Sequence, residues 1–142
     1  MSKELIDRVE INIRFSEVDS MAIVWHGNYV KYIEEGRESF GKHFGISYLD
    51  IYSHKVMAPV VNMDISFKKQ VKYGEAIIVE TKYIDQPAAK LSFSYRIYRK
   101  SNNELIATAS TTQVFIDTDF EMLLYPPEFV LEWKRKMGLP TA

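Results

Sequence analysis

Apolar and polar residues alternate strictly along RVEINIRF, residues 8–15: Val9, Ile11, Ile13 and Phe15 point one way, Glu10, Asn12 and Arg14 the other. A period of two is that of a half-buried strand. The period returns over Val60–Phe67, Ala76–Ile84 and Leu91–Arg99, and small and β-branched residues from Leu105 to Ile116 make a fifth strand. After the first strand the period changes. Tyr29, Ile33, Gly36, Phe40 and Phe44 recur at spacings of four, three, four and four, on one face of a helix. Lys31, Glu35, Glu38 and Lys42 lie opposite, where i,i+4 pairs can form. Asn28 suits the N-cap, because its side-chain oxygen can accept from an orphan backbone N–H, and Gly45 suits the C′ position. Gly36 interrupts the apolar face at a penalty of about 1 kcal/mol relative to alanine. A glycine there marks a place where another backbone comes close.

Lys72–Glu75, Asp85–Ala89 and Ser101–Asn103 read as turns or loops between the strands. Beyond Pro126-Pro127, residues 128–137 carry an amphipathic stripe of Phe129, Val130, Trp133 and Met137, so a short helix is expected within 126–138. The whole chain, 1–142, reads as one domain with its core over 8–117. Strand, loop, long helix, four antiparallel strands and a small helix make an α+β arrangement. One helix covers one face of such a sheet. The other face and at least one edge then call for a cover, and self-association is a common one.

Composition narrows the chemistry. With 46% hydrophobic and 26% charged residues and a formal net charge of −1, the chain lacks the basic excess of a nucleic-acid binder. Its local basic clusters, Lys68-Lys69 and Arg96 to Lys100, suit solvated strand edges or a phosphate. The cysteine count is 0, which removes disulfides and thiolate nucleophiles together. MSKELIDRVE lacks the apolar core of a signal peptide, and no run is long enough to span a bilayer, so a cytoplasmic protein is expected. The sequence contains no G-x-S-x-G elbow, no P-loop, no G-x-G-x-x-G and no H-E-x-x-H; its 3 histidines, at 26, 43 and 54, make no convincing metal site.

What remains is VDSMAIVWHGNY, residues 18–29. Asp19 stands beside Met21, Ala22, Ile23, Val24 and Trp25, which would desolvate it in part and raise its pKa. His26 precedes the helix start, where backbone N–H groups point outward with the positive dipole end behind them. Such donors can polarise a carbonyl and stabilise an oxyanion. A carboxylate and an oxyanion donor suffice for acyl transfer or hydrolysis. The ordinary alternatives stand beside this reading: a loop aspartate usually caps a turn, His26 next to Gly27 can be a turn residue, and Tyr29 and Phe40 belong to a core.

The spaced set Arg14-Phe15, Glu17, Asp19, His26-Gly27-Asn28-Tyr29, Tyr32, Glu34 and Arg37 resembles the 4-hydroxybenzoyl-CoA thioesterase-like branch of the hot-dog fold. The element order fits from about residue 8 to 117. The resemblance implies a curved antiparallel sheet wrapped round the long helix, a homodimer with active sites at its interface, and often a homotetramer. It implies hydrolysis of an acyl-CoA, with coenzyme A as part of the substrate and no separate cofactor. By position, Asp19 is the catalytic carboxylate, as nucleophile or general base, and the His26 amide the donor to the thioester carbonyl. Glu34 is a secondary candidate, because a related branch uses a helix glutamate. Trp25, Asn28, Tyr29, Lys90 and Ser92 are expected on the substrate, with Lys90 toward the phosphates and Lys68 and Arg99 as alternatives. The pattern is often glycine-containing after Asp19, whereas this chain reads Ser20-Met21-Ala22. A non-catalytic acyl-CoA or acyl-carrier binding module is therefore the second reading. A dehydratase, which usually pairs a histidine with a carboxylate of the partner subunit, is the third.

Overall fold

The computed structural model describes residues 4–141. Strand β1 (Ile6–Asn12) leads through the Asp19 loop to helix α1 (Tyr29–Phe44), followed by a short helix α2 (Tyr48–Tyr52). Strands β2 (Val60–Phe67), β3 (Ala76–Ile84), β4 (Lys90–Arg99) and β5 (Leu105–Val114) then precede helix α3 (Glu128–Met137). All neighbours pair antiparallel, in the spatial order β1-β3-β4-β5-β2. Helix α1 packs on β1, β3 and β4. The inward face is apolar and alternates as the sequence predicts: Ile77, Val79 and Tyr83 on β3, and Leu91, Phe93, Tyr95 and Ile97 on β4, are buried.

Gly36 lies where the sheet presses on the helix. A Cβ there would sit 2.6 Å from Val79 Cγ1 and 2.8 Å from Thr81 Oγ1, closer than van der Waals contact allows. Gly45 ends α1 in the left-handed region, at φ 81°. Trp133 of α3 donates from Nε1 to Phe44 O at 2.7 Å, and buried Lys134 donates to Gln86 O, also at 2.7 Å, so α3 seals the end of the core at the C-terminus of α1.

The sequence reading is corrected in part. The first strand spans Ile6–Asn12, not 8–15; Phe15 lies in a 3-10 turn (Phe15–Glu17) and is 75% exposed. The period continued past the strand because Ile13 stays buried while its N–H bonds to Glu75 O, outside the ladder. The outer face of the sheet is largely polar on β4 and β5. Ser92, Ser94 and Arg96 of β4 and Thr108, Ser110 and Thr112 of β5 alternate with the buried positions and can face water. Two strands are edges, β1 paired to β3 alone and β2 paired to β5 alone, and the β2 edge leaves Val61 and Phe67 exposed.

Helix α2 is absent from the sequence reading. Its signal is the capping box Ser47-x-x-Asp50: Ser47 Oγ accepts from Asp50 N, and Asp50 Oδ2 accepts from Ser47 N at 2.9 Å. The bonds from the Ser47 backbone and side chain hold the Asp50 carboxyl below its ordinary pKa. A depressed folded-state value adds stability above the ordinary carboxylate range, and that stability is lost as pH falls through the folded value. Ser47→Ala is therefore expected to cost about 1 kcal/mol at neutral pH. The gap to wild type should narrow as the solution is acidified below the carboxylate range, as followed by urea unfolding at a series of pH values.

Candidate active site

The loop between β1 and α1 is a small hairpin. Trp25 N donates to Glu17 O at 3.0 Å, Asp19 N to Ile23 O at 2.8 Å, and Ala22 N to Asp19 O at 3.0 Å. Val24 N bonds to Val71 O and Tyr73 N to Ala22 O, which dock the hairpin on the segment ahead of β3. Asp19 sits near the tip. Its Oδ1 accepts from Met21 N at 2.8 Å and Ile23 N at 3.3 Å, so it does cap a turn. Its other oxygen has no hydrogen-bond partner among the described residues. Asp19 is exposed, and so is Met21, which corrects the expectation that its neighbours desolvate it within one chain. Ala22 adopts φ 61°, a conformation that favours glycine, so this chain holds the turn under strain.

Residues His26–Asn28 form a 3-10 turn that runs directly into α1. Asn28 N bonds back to Trp25 O at 3.0 Å, whereas the N–H groups of His26 and Gly27 have no acceptor among the described residues. They lie at the positive end of the α1 dipole. The His26 ring packs near Trp25 (centroids 5.1 Å apart) and Phe67 (6.3 Å), and its nitrogens make no hydrogen bond among the described residues. A Cβ at Gly27 would overlap the Trp25 ring folded over it, so any side chain there would require that exposed ring to swing away. Trp25 itself is 55% exposed beside the two free amides.

Two expected substrate contacts are corrected. Asn28 is neither a side-chain cap nor a solvent-facing group: its backbone is already helical, and its buried side chain donates from Nδ2 to Glu17 O at 2.7 Å. Tyr29 is 4% exposed, with its ring against Tyr32 and Phe67, so it belongs to the core. Burial pushes its hydroxyl above the ordinary phenol pKa, against the opposing charge of Arg99.

Lys90 and Ser92 lie elsewhere on the sheet. His26 is beside Phe67, which pairs with Ala107, whereas Lys90 pairs with Val114, seven positions further along β5. At about 3.4 Å per residue the two ends are about 24 Å apart along the strand. Lys90 is exposed; Ser92 is half-buried and hydrogen-bonded to Gln86 Nε2. Arg99 is engaged by Glu75, Glu104 and Gln70 O, so it is not free for a phosphate. Lys68, next to Phe67, is exposed at the His26 end. Glu34 pairs with Arg37 at 2.6 Å, as the i,i+3 spacing predicts.

Glu34 also lines a cavity of about 740 Å³, with Glu38 of α1, Leu91 and Phe93 of β4, Gln113 of β5, and Phe120. The cavity lies at the Gln113 end of the sheet, away from Asp19. The sequence reading missed it because it is built from segments distant along the chain. It also missed buried Glu17, whose only sequence signal was its place in the motif.

A five-stranded antiparallel sheet wrapped on one long helix is the hot-dog arrangement. A family model described as the Thioesterase-like superfamily matches residues 13–134, and the chain belongs to that superfamily. It is 35% identical over 114 residues to the candidate acyl-CoA thioesterase YneP of Bacillus subtilis (strain 168), covering 80% of this chain and 82% of that protein. Among solved structures, a DHNA-CoA thioesterase from Staphylococcus aureus superposes with a TM-score of 0.82 at 28% identity, covering 94% of this chain and 91% of the other. The hypothetical protein TT1821 from Thermus thermophilus does so with 0.82 at 26%, covering 95% and 99%. No described helix is long and apolar enough to cross a membrane.

Proposed function

We propose that this protein hydrolyses an acyl-CoA to the free acid and coenzyme A. The observation that carries the reading is the pairing, on one loop, of an exposed aspartate with unbonded amides at the start of α1. In the general-base form, Asp19 takes a proton from water as the oxygen attacks the thioester carbonyl. The oxyanion that forms is held by the His26 N–H, and collapse expels the thiolate, which recovers the proton from Asp19. In the nucleophilic form, Asp19 attacks the thioester carbonyl and the C–S bond breaks to expel the coenzyme A thiolate; water then opens the mixed anhydride to the free acid and the Asp19 carboxylate, its proton going to the thiolate. A single turnover in ¹⁸O-labelled water separates them, since only the anhydride route can place label in the Asp19 carboxylate.

We infer a homodimer joined at the β2 edges. Two strands related by a two-fold axis run antiparallel, so the Val60 end of one protomer meets the Phe67 end of the other. Such pairing sets the cavity, Lys90 and Ser92 of one protomer beside Asp19 and His26 of its partner. This accounts for an acyl-sized cavity lying far from the aspartate of its own chain. The cavity would take the acyl group and Lys90 or Lys68 the phosphates. Association of two dimers into a tetramer, in the cytoplasm, completes the reading.

The test is coenzyme A release by purified protein from short, long and aromatic acyl-CoAs and from an acyl-carrier thioester. Turnover above background on at least one acyl-CoA is expected. Saturable binding of a CoA ester without turnover of any of them would instead establish the binding module. Turnover of the carrier thioester alone would move the substrate class.

A further inference from the structure

The carboxylate of Glu17 has no part in the proton or acyl transfers above, yet it is 7% exposed and joins none of the ion pairs among the described residues. A buried carboxylate without a cation is a standing cost to stability, so its bonds are informative. Glu17 Oε1 accepts from Arg14 N at 2.9 Å and from the Tyr32 hydroxyl at 3.0 Å. Glu17 O accepts from Trp25 N at 3.0 Å and from Asn28 Nδ2 at 2.7 Å. One residue, itself on the arm that leads to Asp19, therefore ties four places together: Arg14 just past β1, the return arm of the hairpin at Trp25, the turn that carries His26, and the first turn of α1. Tyr32 is buried and donates; its burial, and then the Glu17 charge beside it, keep its hydroxyl protonated.

No other residue among those described bonds to both arms of the hairpin and to the helix. Asp19 is two residues from Glu17, and His26 follows Trp25 directly. The separation of the carboxylate from the amide is thus set through Glu17, although Glu17 touches neither. From these contacts we propose that the Glu17 side chain is a positioning residue for the thioester hydrolysis: by bonding the Tyr32 hydroxyl and Arg14 N it pins residue 17, whose backbone carbonyl holds Trp25 N and Asn28 Nδ2, and so keeps the Asp19 carboxylate and the His26 amide in register. The proposal rests on the thioesterase reading for its kinetic consequence, and on the hydrogen bonds alone for its structural one.

The variants separate the roles. Glu17→Gln keeps an acceptor for Arg14 N and Tyr32 and removes the charge, so kcat should stay within about threefold of wild type, with stability equal or higher. Glu17→Ala should lower kcat by about 100-fold, as a misplacement near 1 Å does, with KM within about threefold. A role confined to stability would reduce the folded fraction and leave kcat per folded molecule unchanged. In the Asp19→Asn background, Glu17→Ala should cost less than about threefold further, because it acts through a group already removed. Independently of turnover, Glu17→Ala should raise amide hydrogen exchange across residues 18–27 and leave β3 and β4 protected. Unchanged exchange in that segment, equal kcat loss in Glu17→Gln and Glu17→Ala, or full additivity with Asp19→Asn would each overturn the assignment. A wild type with no turnover would instead remove the thioesterase reading, and hydrogen exchange would still decide whether Glu17 fixes the loop.

Discussion

Asp19→Asn should lower kcat by about 10³-fold, within the range of about 10²–10⁴ that a positioned acid or base contributes. The substitution isolates chemistry from architecture. Asn matches Asp in shape, and its side-chain oxygen can still accept from Met21 N and Ile23 N, the two bonds that Oδ1 makes now. The turn should survive, with stability within about 0.5 kcal/mol of wild type. Asp19→Ala would lose those bonds and confound the two effects. Binding of a non-hydrolysable acyl-CoA analogue should be unchanged in Asp19→Asn, so the loss falls in kcat and not in KM. Steady-state kinetics, calorimetry and thermal unfolding on the same preparation test all three parts. A kcat loss below about tenfold would move the carboxylate role to Glu34, which lines the cavity and is already paired to Arg37. Glu34→Gln, which keeps one acceptor for that pair, would then be the variant that fails.

Local physics was legible in the sequence where one period and one stop signal acted together. Tyr29–Phe44 begins and ends where the spacing of its apolar face and Gly45 place it, and Ala76–Ile84 matches its alternation residue for residue. Gly36 could be read as a close approach because a mid-helix glycine on a buried face has few other uses, but the side chains of Val79 and Thr81, not a backbone, are what comes close. Reading failed where a tertiary bond outcompeted a local preference. Asn28 has the chemistry of a cap, but Glu17 O, eleven residues away, claims its side chain. Phe15 continues an alternation whose strand has already ended. Asp19 looked desolvated because its neighbours are apolar, yet a tight hairpin turns it and Met21 outward together. The candidate site was legible in its parts: an exposed loop aspartate and an unbonded amide at the helix start follow from residue type and element order. The cavity does not, since Glu34, Leu91, Gln113 and Phe120 come together only through the register of β4 and β5 and the path of the chain beyond them.

The histidine at the helix start invites a side-chain role, and proline at that position distinguishes ring from backbone. His26→Ala removes the imidazole and keeps the N–H; because the ring only packs near Trp25 and Phe67, kcat should fall less than about tenfold. His26→Pro removes the N–H as well. Backbone geometry admits the proline: residue 26 opens a 3-10 turn, where φ is near −60°, and its N–H makes no bond among the described residues. Trp25 sits at φ −68°, ψ 134°, the extended conformation that a residue before proline prefers. The fold should therefore persist, with a stability loss well below the penalty of about 3 kcal/mol for proline inside a helix. If the amide holds the oxyanion, its removal should lower kcat by about 10²–10³, or about 3–4 kcal/mol of transition-state stabilisation. The loss should appear in kcat, since a ground-state carbonyl gains less from the donor than the oxyanion does. Equal activity in His26→Ala and His26→Pro would show that the amide does not bind the oxyanion, and the neighbouring unbonded Gly27 N–H would be the donor to examine next. A large loss already in His26→Ala would return the role to the imidazole. The ordering expected here, proline far below alanine and alanine close to wild type, is one that an acid–base histidine cannot produce.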